Sequence, residues 1–382
     1  MKKILWLVSW YPNRFDPTSA NFIKRQAEAV SKYVKVHLLY VHADETGTIK
    51  KTEEENFQVG NLTEKKIYYR SNSKYFFGKI LSVKQYFSLS EKSIKQYFLE
   101  NGNPDYVHVQ VPIRAGLLAM KMKNKFNIPY ALTEHYGIYN DVAEDSWNRR
   151  SKVYRNSVKK IIAGADPLIC VSRQLGQEMN ELVLKKDFIM IPNVVESSVF
   201  QFNEKNSRGD KFRFIHVSNM SAYKNVEGII EAAKNLAQSR SDFELRLVGK
   251  IPKHIFQLAE HSGLLDKQIF FTGEIPYHRV ADEMNEADAF ILFSKSESSS
   301  CVIQEALSCG LPVITTPVGI ALETINASNG LLTELGNTRL LTVKMNELMN
   351  SYSQFNRKRI SEEWNPQFSY EILGKKIAEL YK

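Results

Sequence analysis

The chain lacks any run near the roughly 20 consecutive apolar residues that a membrane-spanning helix requires. Its apolar start, Ile4-Leu-Trp-Leu-Val8, is too short and has no cleavage site, so it reads as a first β-strand. Cysteine is scarce. Cys170, Cys301 and Cys309 supply neither a metal-ligand cluster nor an even disulfide set, which suits a reducing, cytoplasmic compartment. Gly-x-Gly-x-x-Gly, a Walker A sequence, His-Glu-x-x-His, Gly-x-Ser-x-Gly and Asp-x-Asp are all missing. Dinucleotide, P-loop, zinc-hydrolase and serine-hydrolase chemistries are therefore not signalled, and no metal or cofactor is implied. The basic residues follow no RNA-recognition or helix-turn-helix pattern, so nucleic acid is not an expected partner.

What is present is enough for two ordinary domains: 382 residues with 43% hydrophobic content. Charge is unevenly placed. Residues 1–195 carry 30 Lys and Arg against 19 Asp and Glu, a balance of +11, and the remainder, with 21 and 23, stands at −2. A basic first half suits an anionic partner such as the inner membrane face, which would make the protein peripheral; a solvated lysine-rich surface with no partner is the alternative.

Strand-like runs alternate with helical ones, which predicts α/β architecture with parallel sheets. Residues 4–9, 36–40, 106–110, 130–133, 168–171 and 188–191 are expected to build a first sheet, and 212–217, 243–248, 269–272, 289–293 and 313–315 a second. The join falls near Pro192-Asn193. Lys74 to Leu99 reads as an amphipathic helical pair, facing a membrane or acceptor or covering its own core. Asp44 to Asn61 reads as a polar loop or hairpin.

The most informative segment is Glu297-Ser-Ser-Ser-Cys-Val-Ile-Gln-Glu305-Ala-Leu-Ser-Cys-Gly310-Leu-Pro312-Val-Ile, which follows the apolar strand Ala289–Phe293. Eight helical steps of about 100° leave two positions roughly 80° apart, so both glutamates in one helix would not share a face. With Glu297 in the turn and Glu305 inside a helix stopped by Gly310 and Pro312, the two address different parts of an elongated ligand. Ser298, Ser299 and Ser300 are N-cap candidates, and the amides after such a cap favour an anion such as pyrophosphate. Two glutamates at this spacing also occur by chance in helical proteins. Cys301, within the same loop, fits a small buried residue better than a nucleophile.

Glu-x7-Glu with Ala-Leu-Ser-Cys-Gly-Leu-Pro-Val-Ile resembles the signature of retaining glycosyltransferase family 4. Ile191-Pro192-Asn193-Val194, Val217-Ser-Asn-Met-Ser-Ala-Tyr-Lys224, Phe271-Thr-Gly273-Glu-Ile-Pro276, Thr316-Pro-Val-Gly319 with Glu323, and Asn329-Gly330-Leu-Leu resemble further family motifs in order, over nearly the whole chain. The resemblance implies a GT-B fold of two facing Rossmann-like domains around a central cleft. Residues 1–192 would form the acceptor-side domain and 193–363 the nucleotide-sugar donor domain. Residues 364–382 resemble a last helix that crosses back to the first domain.

It also implies retaining transfer of a hexosyl or N-acetylhexosaminyl group from a nucleotide-sugar, UDP or GDP, to a hydroxyl acceptor, without a metal. The expected acceptor is a lipid-linked glycan in capsule, exopolysaccharide or lipopolysaccharide synthesis. A small soluble acceptor, or a silent nucleotide-sugar binding protein, is the alternative. On this resemblance Lys224 clamps the leaving pyrophosphate, Glu297 contacts the sugar and Glu305 the ribose. His135, in Thr133-Glu134-His135-Tyr136-Gly137 at the end of a first-domain strand, approaches the donor sugar. Ser19, Ala20 and Asn21 belong to a first loop that closes on the phosphates, with Ala20 where the family has glycine. Asn219 replaces a phosphate-binding arginine, Ser298-Ser299-Ser300 replaces Gly-Phe-Gly, and Ile320 replaces the second glycine of a Val-Gly-Gly turn.

Overall fold

A computed structural model describes residues 1–71, 76–140, 142, 145–204 and 209–382. In chain order the elements are β1 (Lys3–Val8), α1 (Asn21–Ser31), β2 (Lys35–Asp44), β3 (Glu53–Val59), β4 (Leu62–Arg70), α2 (Phe76–Asn101), β5 (Tyr106–Gln110), α3 (Ala115–Phe126), β6 (Tyr130–Glu134), α4 (Lys152–Gly164), β7 (Leu168–Cys170), α5 (Arg173–Leu182) and β8 (Ile189–Met190). There follow β9 (Phe212–Val217), α6 (Val226–Leu236), β10 (Phe243–Val248), α7 (Lys253–His261), β11 (Ile269–Gly273), α8 (Tyr277–Glu286), β12 (Ala289–Leu292), α9 (Cys301–Ser308), β13 (Val313–Thr315), α10 (Ala321–Thr324), β14 (Gly330–Leu332), α11 (Thr338–Ser351), α12 (Arg357–Trp364) and α13 (Tyr370–Ala378). Two compact units result: Met1–Val171, Gly176–Val194 and Tyr370–Lys382 form the first, and Ser172–Leu175 and Val195–Ser369 the second.

Both units are Rossmann-like. The second has a six-stranded sheet in the order β11-β10-β9-β12-β13-β14, all parallel, and its strands are apolar because helices cover both faces. The first has eight strands in the order β3-β4-β2-β1-β5-β6-β7-β8. Here β3 pairs antiparallel with β4, an exception to the expected parallel sheet. The stretch read as a loop or hairpin between 44 and 61 is thus the start of a β3–β4 hairpin on the sheet edge. Its outer strand, Glu53-Glu-Glu-Asn-Phe-Gln-Val59, is mostly exposed, so it carries none of the apolar alternation that marks a core strand. β14 was also not apparent, being only three residues long.

The expected helical pair is one helix, α2. Tyr86, Ser90, Ile94 and Tyr97 form its buried stripe at i, i+4 and i+3 spacing, whereas Phe77 and Leu81 near its start are exposed. Lys74 and Tyr75 of that expected segment lie outside the described residues. Among the described residues no helix is long and apolar enough to cross a membrane.

α13 completes the first unit. Leu373, Ile377 and Tyr381 join Ile23, Ala27 and Val30 of α1 in one core cluster. Gly374 permits the approach: a Cβ there would lie 2.4 Å from the Ala29 carbonyl oxygen. Residues 364–369 stay with the second unit.

Candidate active site

In the second unit, β12 ends at Leu292 and the chain loops through 293–300 before α9, so Glu297 lies in the loop and Glu305 in the helix. The glutamates share no helix face because they do not share a helix. Glu297 Oε1 accepts from Lys224 Nζ at 2.6 Å and from Ser294 Oγ at 2.6 Å. Lys224 closes a 3-10 turn, Ala222–Lys224, and Asn225 in the left-handed region (φ 52°) turns the chain into α6. Burial alone would lower the Lys224 pKa, but the Glu297 carboxylate outweighs it and the net shift is upward. Lys224 is a fixed, half-buried cation.

Glu305 is 4% exposed, and its Oε1 accepts from Tyr277 Oη at 2.8 Å. Tyr277 opens α8 and packs its ring against Phe200, centroids 4.9 Å apart. Neither Tyr277 nor Ser294 was singled out from the sequence. Tyr277 reaches Glu305 through a fold contact, whereas Ser294 reaches Glu297 from three residues away in the same loop.

The serine loop differs from expectation in detail. Ser300 occupies the N-cap of α9, but at φ 78° and ψ 76° its side chain makes no capping bond, and its hydroxyl is buried without a partner among the described residues. Ser299 Oγ meets Gln304 Oε1 at 3.5 Å, and the Ser298 carbonyl accepts from Ser172 Oγ at 2.6 Å within the same unit. The loop is therefore held mainly through its backbone. Cys301, the first helical residue, is partly exposed.

Gly319 (φ 58°) belongs to the turn beside this loop, where an added Cβ would lie 2.9 Å from Glu297 Cβ. Ile320, by contrast, sits at φ −78°, where a side chain costs nothing, so its place in a Val-Gly-Gly-like turn needs no second glycine. Asn219 is exposed, and its Oδ1 accepts from the amide and hydroxyl of Ser221 at 3.2 and 2.9 Å. Its side chain shapes the loop after β9. Gly249 lets that loop lie close, since a Cβ there would fall 1.8 Å from the Ser218 carbonyl oxygen.

In the first unit His135 follows β6 at its C-terminal end. Glu134 braces this turn: Oε1 accepts from the amides of His135 and Tyr136, both at 2.9 Å, and Oε2 accepts from Tyr139 Oη at 2.6 Å. Burial pushes the Glu134 carboxyl up to about 8 and the His135 imidazole down to about 3, so the ring is neutral. Its Nε2 lies 2.7 Å from Gln110 Oε1. Phe22, in the first turn of α1, packs against the His135 ring with centroids 4.9 Å apart, which brings the first loop and the histidine together. Within that loop Asn13 Oδ1 accepts from the amides of Phe15 and Asp16, and Asp16 Oδ1 from the Thr18 amide. Ser19 and Ala20 precede α1, and Asn21 is its first residue. Ala20 sits at φ 49° and ψ 37°, a left-handed conformation for a residue with a Cβ.

Two family profiles match in tandem: Glycosyltransferase Family 4 over residues 24–199 and Glycosyl transferases group 1 over residues 198–363. An uncharacterized glycosyltransferase of Methanocaldococcus jannaschii is 28% identical over 76% of this chain and 78% of its own length. TuaC of Bacillus subtilis, named as a candidate teichuronic acid biosynthesis glycosyltransferase, is 25% identical over 83% of this chain and 81% of its own. Among solved structures, sucrose-phosphate synthase of Thermosynechococcus elongatus superposes with a TM-score of 0.78 at 17% identity, covering 100% of this chain and 98% of that one. HepE of Anabaena, in complex with UDP and glucose, superposes with a TM-score of 0.70 at 16% identity over 99% of both chains. The chain is a glycosyltransferase of family 4 with the GT-B fold.

Proposed function

We propose that this glycosyltransferase is a retaining enzyme that moves a hexosyl or N-acetylhexosaminyl group from a UDP- or GDP-sugar to a hydroxyl of a lipid-linked glycan in capsule, exopolysaccharide or lipopolysaccharide assembly. The observation that carries the reading is the half-buried Lys224–Glu297 pair in the loops leading into α6 and α9. The barrier to transfer lies in departure of the nucleoside diphosphate, and a preorganised cation with helix-terminal amides lowers it without reorganisation. Lys224 supplies that charge and the amides at the start of α9 supply donors. Glu297 orients the sugar hydroxyls and Glu305 the ribose hydroxyls. A neutral His135 exchanges hydrogen bonds with the donor sugar and carries no acid–base step. Asn219, Ser298, Ser299, Ser300 and Cys301 line the donor phosphates, and Ser19, Ala20 and Asn21 close on them. No metal takes part in this scheme.

Support for the donor comes from HepE, which has been solved with UDP and glucose, and for the glycan acceptor from the name of TuaC. Incubation with a panel of UDP- and GDP-sugars, with and without chelator, should release nucleoside diphosphate from one of them, and proton NMR of the product should show the donor's anomeric configuration. Binding without turnover across the panel would leave a silent binder; an inverted product would reject retention.

Docking on the inner membrane face belongs to the same reading. The +11 balance of residues 1–195 and the exposed Phe77, Ile80 and Leu81 among Lys79 and Lys84 support it. The protein should float with anionic vesicles and not neutral ones, and lose that association above about 0.1 M salt. Equal flotation would favour a soluble acceptor.

A further inference from the structure

Between β9 and β12 the strand order of the second sheet reverses: β10 and β11 follow β9 to one side, and β13 and β14 follow β12 to the other. At such a point the connections leave the carboxyl ends of the two middle strands in opposite directions and open the crevice in which α/β sheets take ligands. The ladder between these two strands is short, ending at Phe290 opposite Ile215. The next residue spans the gap with its side chain. His216, 0% exposed, places Nδ1 2.9 Å from the Ile291 carbonyl oxygen of β12 and Nε2 2.7 Å from Ser218 Oγ, just past the end of β9. Ser218 Oγ in turn accepts from the Met220 amide at 2.9 Å.

The main chain at both ends fixes the direction of every bond. A carbonyl oxygen only accepts, so Nδ1 carries a proton whatever Ser218 does. Burial, with a smaller push from the Lys224 ammonium, holds the imidazole down to about 4 against the Ile291 bond, so that proton is its only one and Nε2 is a lone pair. An amide N–H only donates, so the Ser218 oxygen takes the Met220 hydrogen and turns its own to Nε2. Met220 sits at φ 53°, a left-handed conformation that a Cβ disfavours, with its side chain in the core of the second unit. The serine bond two residues on closes that turn. The chain then enters the Ala222–Lys224 turn and meets the loop after β12 twice: the Tyr223 carbonyl accepts from the Lys295 amide at 2.7 Å, and Lys224 Nζ donates to Glu297 Oε1 at 2.6 Å.

We infer that His216 is a positioning residue for Lys224: it ties Ile291 of β12 to Ser218 and, through the Ser218 hydroxyl, holds the left-handed turn at Met220 that carries Lys224 to Glu297. Without the Nε2 lone pair the Ser218 hydroxyl rotates away, the Met220 amide loses its acceptor, and residues 219–224 relax. The effect on transfer rests on the proposed role of Lys224 at the leaving diphosphate; the anchoring of the turn does not.

Long-range nitrogen–proton correlation of the full-length protein labelled in histidine, with His216 assigned by the loss of its signals in His216→Asn, should show the Nδ1–H tautomer. An Nε2–H pattern there would overturn the inference before any variant is tested. Hydrogen exchange read by mass spectrometry follows the turn itself. Ser218→Ala removes the hydroxyl, whereas His216→Asn sets its amide near the Nδ1 position and takes away the acceptor of Ser218; each should speed exchange across residues 219–224 by about tenfold with the rest of the second unit unchanged. Unchanged exchange in that segment, or a rise spread over the whole unit, would also overturn it. In turnover with the donor found active, each variant should lower kcat by about tenfold with little change in donor KM, and neither should lower it further in a Lys224→Ala background, because both act through that one ammonium. Equal losses in the two backgrounds would mark a merely structural role and reject the positioning of Lys224. Full turnover by Lys224→Ala alone would instead reject the leaving-group role of Lys224, with the anchored turn still read by exchange.

Discussion

The Lys224 ammonium and the Glu297 carboxylate hold one another at 2.6 Å, with the same carboxylate oxygen accepting from Ser294. On the proposed role of Lys224, a pyrophosphate would meet a cation that is already paired and already in place. Lys224→Ala should lower turnover by roughly 100-fold or more. It also leaves Glu297 with a hydroxyl alone, at a cost of about 1–3 kcal/mol. Lys224→Ala with Glu297→Gln removes that cost, so a double variant that regains melting temperature without turnover separates the catalytic loss from the structural one.

The two glutamates should fail differently. Glu305→Gln keeps an oxygen for Tyr277 Oη but would give up the proposed charge-assisted bond to the ribose, so affinity for free nucleoside diphosphate should fall about tenfold. Glu297→Gln should impair transfer while the diphosphate still binds. Calorimetry with the diphosphate alone reads the difference, and equal losses in both would contradict the assigned roles.

Ala20 at φ 49° bears a left-handed conformation that glycine adopts freely. The left-handed penalty, about 1–2 kcal/mol, exceeds the entropic cost of glycine, so Ala20→Gly should stabilise the protein by about 0.5–1 kcal/mol. Chemical denaturation measures it. A destabilised Ala20→Gly would mean that the loop gains more from the Ala20 methyl than it pays in strain.

Stability should fall on acidification. His37, held down to about 4 by burial, and His108 and His135, each down to about 3, all lie in the first unit and stay neutral when folded. Unfolded, they protonate below about pH 6.5, so each contributes stability above that pH that is lost as pH falls toward its folded value. Glu134, raised to about 8, works oppositely: its proton favours the folded state below pH 8. At pH 5 unfolding should thus make these three histidines take up about three protons and Glu134 release about one. The net of about two makes stability fall by about 2.7 kcal/mol per pH unit there. Denaturant titrations at pH 5 and 6 check the slope, and a flat profile would show that these histidines are not buried neutral.

The placement of the two glutamates was legible because its signals are local: a strand, a serine turn and a helix stopped by glycine and proline put Glu297 in a loop and Glu305 in a helix within one stretch of sequence. The placement of His135 was legible from the strand that precedes it. Their partners were not. Tyr277 lies 28 residues from Glu305, and Gln110 lies 25 residues from His135, separations that only the packed fold closes. The β3–β4 hairpin was obscured by its polarity, since an edge strand bearing three consecutive glutamates is selected to resist pairing and not to bury a face. The family's glycine positions misled in one direction and informed in the other: Ile320 needs no glycine, while Ala20 occupies a site that does.

That α13 packs on α1 has a consequence for the order of folding. The ribosome makes all of residues 195–369 between the bulk of the first unit and the helix that closes it. Through that interval the groove that α13 will fill, lined by Ile23, Ala27 and Val30, has no native cover. The second unit, contiguous apart from four residues, finishes its own core in the meantime. The first unit to be translated is therefore the last to be completed, and its nascent form presents a sticky helix face that a chaperone would recognise.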